Sequence, residues 1–183
     1  MKNFLITIAF AGLAASTMLA GPKTAYKNQQ QRIAQGVKSG QLTPRETANL
    51  ENKERAINGE VRADRNGNGG RLTAAERAQV GAQHANLSKQ IYTDKHNAAK
   101  DNFGNGKVGR REENQQDRIA QGIKSGRLNA NETTHLENRE AGLQSQVRAD
   151  RQMNNGKLTP GERKSVNNSQ NQLSNSIYKD KHN

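Results

Sequence analysis

The sequence repeats itself without a gap. Residues 28–97 align with residues 114–183 at a constant offset, so that RIAQGVKSG in the first copy recurs as RIAQGIKSG in the second. Each inserted residue would turn a helical face by about 100°. An uninterrupted register therefore indicates that a whole structural unit has been duplicated, and we expect two tandem modules with the same fold.

Each copy contains a shorter repeat that predicts where helices begin. The pattern G-x-L-[T/N]-x-x-E starts at Gly40, Gly70, Gly126 and Gly156. A Thr or Asn side chain can cap the first helical turn, and a Glu three residues later can bond back to the cap's own N–H, which makes a capping box. The predicted pairs are Thr43 with Glu46, Thr73 with Glu76, Asn129 with Glu132, and Thr159 with Glu162.

Aliphatic residues follow each predicted cap at a helical spacing. The first comes four residues after the Glu, the second seven later and the third four later, so that they fall within about 40° on one face. This face is narrow and resembles a coiled-coil seam more than a globular core helix. The predicted seam consists of Leu50, Ile57, Val61, Val80, Leu87, Ile91, Leu136, Leu143, Val147, Val166, Leu173 and Ile177.

These patterns predict an all-α protein in which each copy holds a short helix and a long antiparallel helical hairpin. Module 1 is expected at residues 21–97 and module 2 at residues 114–183. The Gly- and Asn-containing segment 98–113 is predicted to be a flexible linker. Large aliphatics are few, so we expect a thin core that needs a partner: the other copy, a second chain or a client.

Residues 1–20 are predicted to be a signal peptide. Lys2 precedes an apolar run over residues 4–15, and small residues follow. Cleavage is predicted after Ala20, although Met18 does not suit the third position before that cut, and a cut near Ser16 is the alternative. The apolar run is too short to span a bilayer, and the absence of cysteine excludes disulfides. We therefore expect an exported protein that is periplasmic or extracellular, with no transmembrane segment in the mature chain.

The chain is strongly basic, with 29 Lys and Arg against 17 Asp and Glu and a net charge of +12. Acids are interleaved with the bases and aromatic residues for base stacking are few, so a nucleic-acid partner is not expected. A diffuse positive field instead attracts acidic proteins, anionic headgroups or acidic polymers.

The sequence lacks nucleophile motifs. Its carboxylates occupy positions typical of helix caps and solvated helix faces, so we expect no enzymatic activity. Homo-oligomer formation stays open.

The pattern G-x-L-T-x-x-E also resembles the second half of a calcium-binding EF-hand loop. The candidate ligands form two sets, Asp101, Asn105 and Glu112, and Asp64, Asn66 and Asn68. In the first set Phe103 stands where a ligand is needed, and the second set is one residue out of step with Glu76. These departures favour turns and helix caps, and leave weak calcium binding as an alternative.

The segments RIAQGVKSGQLTPRETANLE and IYTDKHN resemble a group of uncharacterised exported bacterial helical-repeat proteins. A weaker resemblance is to the Spy/CpxP type of periplasmic chaperone, which carries paired L-T-x-x-Q motifs at helix starts. Leu-Thr pairs begin three of the four units here, with Glu in place of the Gln. The resemblance implies a chaperone-like or envelope-associated binding protein, with charged faces for capture and the seam for apolar contact. A structural matrix protein that binds acidic polymers is a further alternative.

Overall fold

The computed structural model describes residues 22–104 and 106–183, most of which are helical. Its helices are α1 (Pro22–Lys38), α2 (Pro44–Gly67), α3 (Ala74–His96), α4 (Lys107–Ser125), α5 (Ala130–Met153) and α6 (Pro160–Asp180). No strand occurs in these residues, so the all-α prediction is confirmed. None of the helices described is both long and apolar enough to cross a membrane. The predicted signal peptide lies outside the described residues.

Four helices begin with a capping box. At α2 the N–H of Glu46 donates to Thr43 Oγ1 at 3.3 Å, and the N–H of Thr43 donates to Glu46 Oε2 at 2.9 Å. Helices α3, α5 and α6 begin in the same way, at Thr73 with Glu76, Asn129 with Glu132, and Thr159 with Glu162. These boxes satisfy backbone donors that a helix start otherwise leaves unpaired.

Within each copy the second and third helices lie side by side. In module 1, Asn97 Nδ2 donates to Glu46 Oε1 at 2.6 Å, and Gln79 Nε2 donates to Glu60 Oε1 at 2.6 Å. Residue numbers therefore rise along α2 while they fall along α3. Helices α5 and α6 are packed together in module 2.

Equivalent helices of the two copies pack against each other. Helix α1 packs against α4, and α2 packs most extensively against α5, whereas α3 and α6 each pack on the other two helices of their own copy. The main hydrophobic core consequently contains residues of both copies, such as Leu50 and Leu136. A smaller cluster of Leu143, Val147, Leu158 and Val166 lies in module 2. All twelve seam residues are buried, so the partner of each thin seam is the rest of the chain.

The segment predicted as a flexible linker, 98–113, is shorter and better anchored than expected. Helix α4 begins at Lys107, so that residues 107–113 are helical; this end of the segment, GRREE, consists largely of good helix formers. Before the helix, the N–H of Asp101 donates to the carbonyl oxygen of Gly40 at 2.9 Å. Gln144 Nε2 donates to Asp101 Oδ1 at 2.7 Å. Asp101 is therefore bonded to both copies.

Candidate functional site: a carboxyl cluster between the two copies

Each aliphatic seam contains one polar residue at the same place. Four residues after the first seam aliphatic, helices α2, α3, α5 and α6 carry Glu54, His84, Glu140 and Gln170. These positions complete a spacing of four, three and four, which keeps them on the aliphatic face. All four side chains are buried. The fold therefore places two carboxyl groups, an imidazole and an amide among its core side chains.

In α3 and α6, which we call the outer helices, the residue at this polar position is bonded by a glutamine from the first helix of the same copy. His84 Nδ1 lies 2.8 Å from Gln29 Oε1, and Gln29 Nε2 donates to the His84 carbonyl oxygen at 2.7 Å. In module 2, Gln115 Nε2 donates to the carbonyl oxygen of Gln170 at 2.8 Å. Burial lowers the pKa of His84, so its neutral form is favoured in the folded protein.

In α2 and α5, which we call the inner helices, the polar positions Glu54 and Glu140 belong to a group of six acidic side chains. We call this group the carboxyl cluster. Its members are Glu51 and Glu54 of α2, Asp101 of the connecting segment, Glu112 of α4, and Glu137 and Glu140 of α5. The five glutamates are buried, four of them with 0% exposure, and Asp101 is partly buried. Both copies thus contribute acids to the interface between α2 and α5.

Glutamine amides donate the hydrogen bonds found at the cluster. Gln30 Nε2 donates to Glu51 Oε2 at 3.1 Å, and in the second copy Gln116 Nε2 donates to Glu137 Oε2 at 2.9 Å. Within the described part of the chain, eight of the twelve carboxyl oxygens have no hydrogen-bond partner. A buried carboxylate without partners costs several kcal/mol, which it avoids by taking up a proton.

Burial accordingly raises the pKa of every carboxyl group in the cluster. The pKa values are about 6 for Asp101, about 7 for Glu51 and Glu112, and about 8 for Glu54 and Glu137, while that of Glu140 lies well above its ordinary value. Desolvation is the largest cause in each case, and neighbouring carboxylates add to it for Glu54, Glu112 and Glu140. Most of the cluster is therefore protonated at pH 6.

The two copies differ at one position of the cluster. Two residues before each copy, at the same offset of 86, α1 carries Tyr26 and α4 carries Glu112. The pKa of Tyr26 is raised by burial and then by the charges of Glu51 and Glu54, so the phenol lies near the α2 pair. Glu112 instead brings a further carboxyl group close to Glu140. Helices α4 and α5 together therefore contribute one more carboxyl group to the cluster than α1 and α2 do.

The first candidate calcium set is only partly brought together. Asp101 and Glu112 both belong to the carboxyl cluster, and the charge of Asp101 raises the pKa of Glu112. Asn105 lies outside the described residues. Since Glu112 sits within α4 and is buried, these residues do not form a continuous exposed loop of the EF-hand kind.

The second candidate set lies at the end of α2. Asp64 and Asn66 are within this helix, which runs to Gly67. Asn68 Nδ2 donates to both carboxylate oxygens of Glu76, at 2.7 and 3.0 Å, so it ties the interhelical turn to the next cap. Among the described residues, no group of three or more His, Asp or Glu is arranged to hold a metal ion.

The carboxyl cluster contradicts the expectation that the carboxylates all occupy caps or solvated helix faces. A signal for it exists in the sequence, because Glu54 and Glu140 fall inside the seven-residue gaps of their seams. A residue four positions after one seam aliphatic and three before the next shares their face. The acids contributed by Asp101 and Glu112 have no such periodic signal.

Because six acidic side chains are collected in the carboxyl cluster, the exterior of the protein is basic. Six of the 17 acidic residues belong to the cluster and four more bond to helix caps, whereas the chain has 29 Lys and Arg. None of the Lys and Arg side chains whose burial the structure describes is buried. The exposed surface is therefore more basic than the net charge of +12 alone indicates.

Comparisons with protein-family models, curated proteins and solved structures found no match to this chain.

Proposed function

We propose that this chain is an exported, non-catalytic binding protein whose basic surface takes up anionic polymers of the cell envelope. The observation that supports the proposal is the segregation of charge: carboxyl groups are collected between the modules, and Lys and Arg face solvent. The two tandem modules, each a short helix with a helical hairpin, would then act as one continuous basic surface.

The recognition that such a surface provides is electrostatic and shallow. Positive charges spread over a folded body attract a polyanion and release its condensed counterions, which makes affinity fall steeply as salt rises. The exposed Lys38 and Lys124 illustrate the repetition, since they occupy equivalent places near the ends of α1 and α4. Recognition of this kind depends on charge density rather than on an enclosed pocket.

Binding to dextran sulfate, measured by fluorescence anisotropy across a salt series, tests the proposal. We expect tight binding at 20 mM NaCl and a linear fall of log affinity with log salt concentration. A Lys38→Gln/Lys124→Gln variant should show a shallower slope, whereas Gln35→Ala/Gln121→Ala, at exposed neutral positions of the same helices, should keep the parent slope. Lack of binding at 20 mM NaCl, or binding that is independent of salt, would contradict the proposal.

The chaperone-like alternative requires a change of conformation. Its apolar client contact would use the seam, and every seam residue is buried in the described structure. Client binding through the seam therefore requires the modules to separate. An aggregation assay with a chemically unfolded client addresses this alternative, and absence of suppression at any ratio of protein to client would reject it.

Export is also part of the proposal and depends on residues 1–20. N-terminal sequencing of the protein recovered from an envelope fraction should give a chain that starts after Ala20. Recovery of the intact N-terminus from the cytoplasm would reject export without affecting the charge argument.

A further inference from the structure

We propose that the interface between the two modules is a proton-controlled clasp, which is closed when the carboxyl cluster is protonated and opens when the cluster ionises. The cluster lies where α2 packs against α5, the most extensive contact between helices. Glu51 on α2 raises the pKa of Glu137 on α5, so charges of the two copies act on each other across the interface. This inference does not depend on the proposed anionic partner.

The hydrogen bonds point to protonated carboxyl groups in the closed state. Both oxygens of Glu54 and both oxygens of Glu140 lack partners, although both side chains are fully buried. Gln116 directs its amide into the cluster through the bond to Glu137, and its Oε1 also lacks a partner. A protonated carboxyl supplies an O–H donor that an ionised one does not. Protons therefore provide donors to a cluster that otherwise consists largely of acceptors.

Charged groups of the neighbouring elements act on the carboxyl cluster but do not offset its burial. Arg148 and Arg151 of α5 lower the pKa of Glu112, but burial outweighs them and the pKa still rises to about 7. Tyr26 of α1 has a pKa raised from 10.0 and stays neutral. In the outer helices, His84 of α3 bonds to Gln29, and the equivalent Gln170 of α6 does not titrate. Among the described residues, the arginines that act on Asp101 and Glu112 do not outweigh the burial of these carboxyl groups.

The direction of the pH effect follows from the raised pKa values. A carboxyl group whose pKa is about 7 or 8 in the closed protein and about 4.5 in water holds more protons when closed. Its stabilising contribution is complete below about pH 4.5 and is lost as pH rises through 6 to 8. His84 acts in the opposite sense because its pKa is lowered, but it is one group against six.

Opening at the interface leaves bonds within each module intact. Gln29 Nε2 donates to Ser88 Oγ at 2.9 Å, and Gln115 Nε2 donates to Ser174 Oγ at 3.2 Å. These bonds join the first and third helices of the same copy and do not involve carboxyl groups. Ionisation therefore acts on the contact between modules, and it would uncover the aliphatic residues that the copies share, among them Leu50 and Leu136.

Distance measurements on spin-labelled full-length protein test the clasp. The chain has no cysteine, so pairs can be introduced at exposed positions. Asn49→Cys/Asn138→Cys reports on α2 against α5, where both residues line the same surface depression. Asn49→Cys/Thr93→Cys reports on α2 against α3 within module 1. Between pH 5 and pH 8.5 we expect the first distance to lengthen and broaden while the second is unchanged.

The double substitution Glu54→Gln/Glu140→Gln tests the role of the cluster, because Gln mimics a protonated carboxyl group. It should keep the first distance short at pH 8.5, whereas Glu113→Gln, an exposed neighbour of the cluster, should open as the parent does. The closed-to-open ratio of the parent should fall at least about tenfold per pH unit between pH 6 and 8. The two distances are measured in the parent protein without any carboxyl substitution. They therefore test whether the interface opens even if the double variant does not fold. Identical distances at both pH values, or equal changes in both label pairs, would overturn the proposal.

Discussion

Glu54 and Glu140 are the same residue of the two copies, 86 positions apart in sequence, and both carboxyl groups are fully buried without a hydrogen-bond partner. Each stands between two aliphatics of its seam, where a coiled coil would place an apolar residue. The fold therefore keeps its most costly side chains at corresponding places in both copies. A buried polar residue in such a seam lowers stability while it specifies which faces pair.

Glu112→Gln should stabilise the protein at pH 8 and leave it unchanged at pH 5. The pKa of Glu112 is raised to about 7, so between about pH 4.5 and 7 the unfolded chain loses this proton while the folded protein keeps it, and the loss of stability is complete at pH 8. A rise from the ordinary 4.5 corresponds to at most about 3 kcal/mol, or about 6–12 °C in Tm for a chain of this size. Thermal melts followed by circular dichroism at both pH values measure this. Glu113→Gln at the exposed neighbouring position is the control, and an equal gain in that variant would contradict the assignment.

His84→Gln should have the opposite pH dependence. The pKa of His84 is lowered by burial, so its stabilising contribution is present above about pH 6.5 and is lost as the pH falls and the unfolded state takes up a proton. Gln is the residue that module 2 uses at the equivalent position, Gln170. The Tm of the variant relative to the parent should be higher at pH 5 than at pH 8. A Tm difference that is the same at both values would show that His84 does not titrate with folding.

Gly36→Ala should destabilise the protein, whereas Gly59→Ala should stabilise it. A Cβ at residue 36 would lie 2.6 Å from Leu42 Cγ and Cδ1, while a Cβ at residue 59 meets nothing within 4 Å. Replacing a helical glycine by alanine without a clash raises the free energy of unfolding by about 0.5–1 kcal/mol. Inserting a methyl group into a packed site lowers it by about 1–3 kcal/mol. Urea denaturation separates the two effects. In module 2, Gly122 is the equivalent of Gly36 and a Cβ there would lie 2.5 Å from Leu128, whereas a Cβ at Gly142 of α5 meets nothing within 4 Å.

Thr73→Ala should cost about 1 kcal/mol, because it removes the cap of α3. Such a loss lowers Tm by about 2–4 °C. Thr93→Ala is the matched control within the same helix: Thr93 is exposed and its hydroxyl donates to the carbonyl oxygen of Lys89 at 3.1 Å, a bond that does little for helix stability. If both variants melt at the same temperature, the capping box contributes nothing to folding.

The helix starts could be read from the sequence because capping is local chemistry. Thr43 and Glu46 are three residues apart, and their bonds need no information about the rest of the chain. The seam was equally accessible, since periodicity alone places Leu50 and Ile57 on one face. Burial of Glu54 was readable in principle from that same periodicity.

The packing of the helices and the membership of the carboxyl cluster depend on which helix faces contact each other. The periodicity of the sequence does not specify these contacts. That α2 packs on α5 rather than on a second chain follows from the relation between the copies. Asp101 joins the carboxyl cluster through its bonds to Gly40 and Gln144, which are distant in sequence. Its sequence context of Gly and Asn indicated a flexible segment, so the anchoring could not be foreseen from local composition.

The packing of α1 on α4 and of α2 on α5 also has a meaning for the origin of the chain. When equivalent helix surfaces of two copies contact each other, the arrangement has the symmetry of a homodimer. An ancestor with one module could have covered these faces only by pairing with a second molecule, at a strength set by its concentration. Duplication ties the two halves together and makes their pairing intramolecular. Within one chain the two halves need not be identical, and equivalent positions hold Tyr26 on one side and Glu112 on the other.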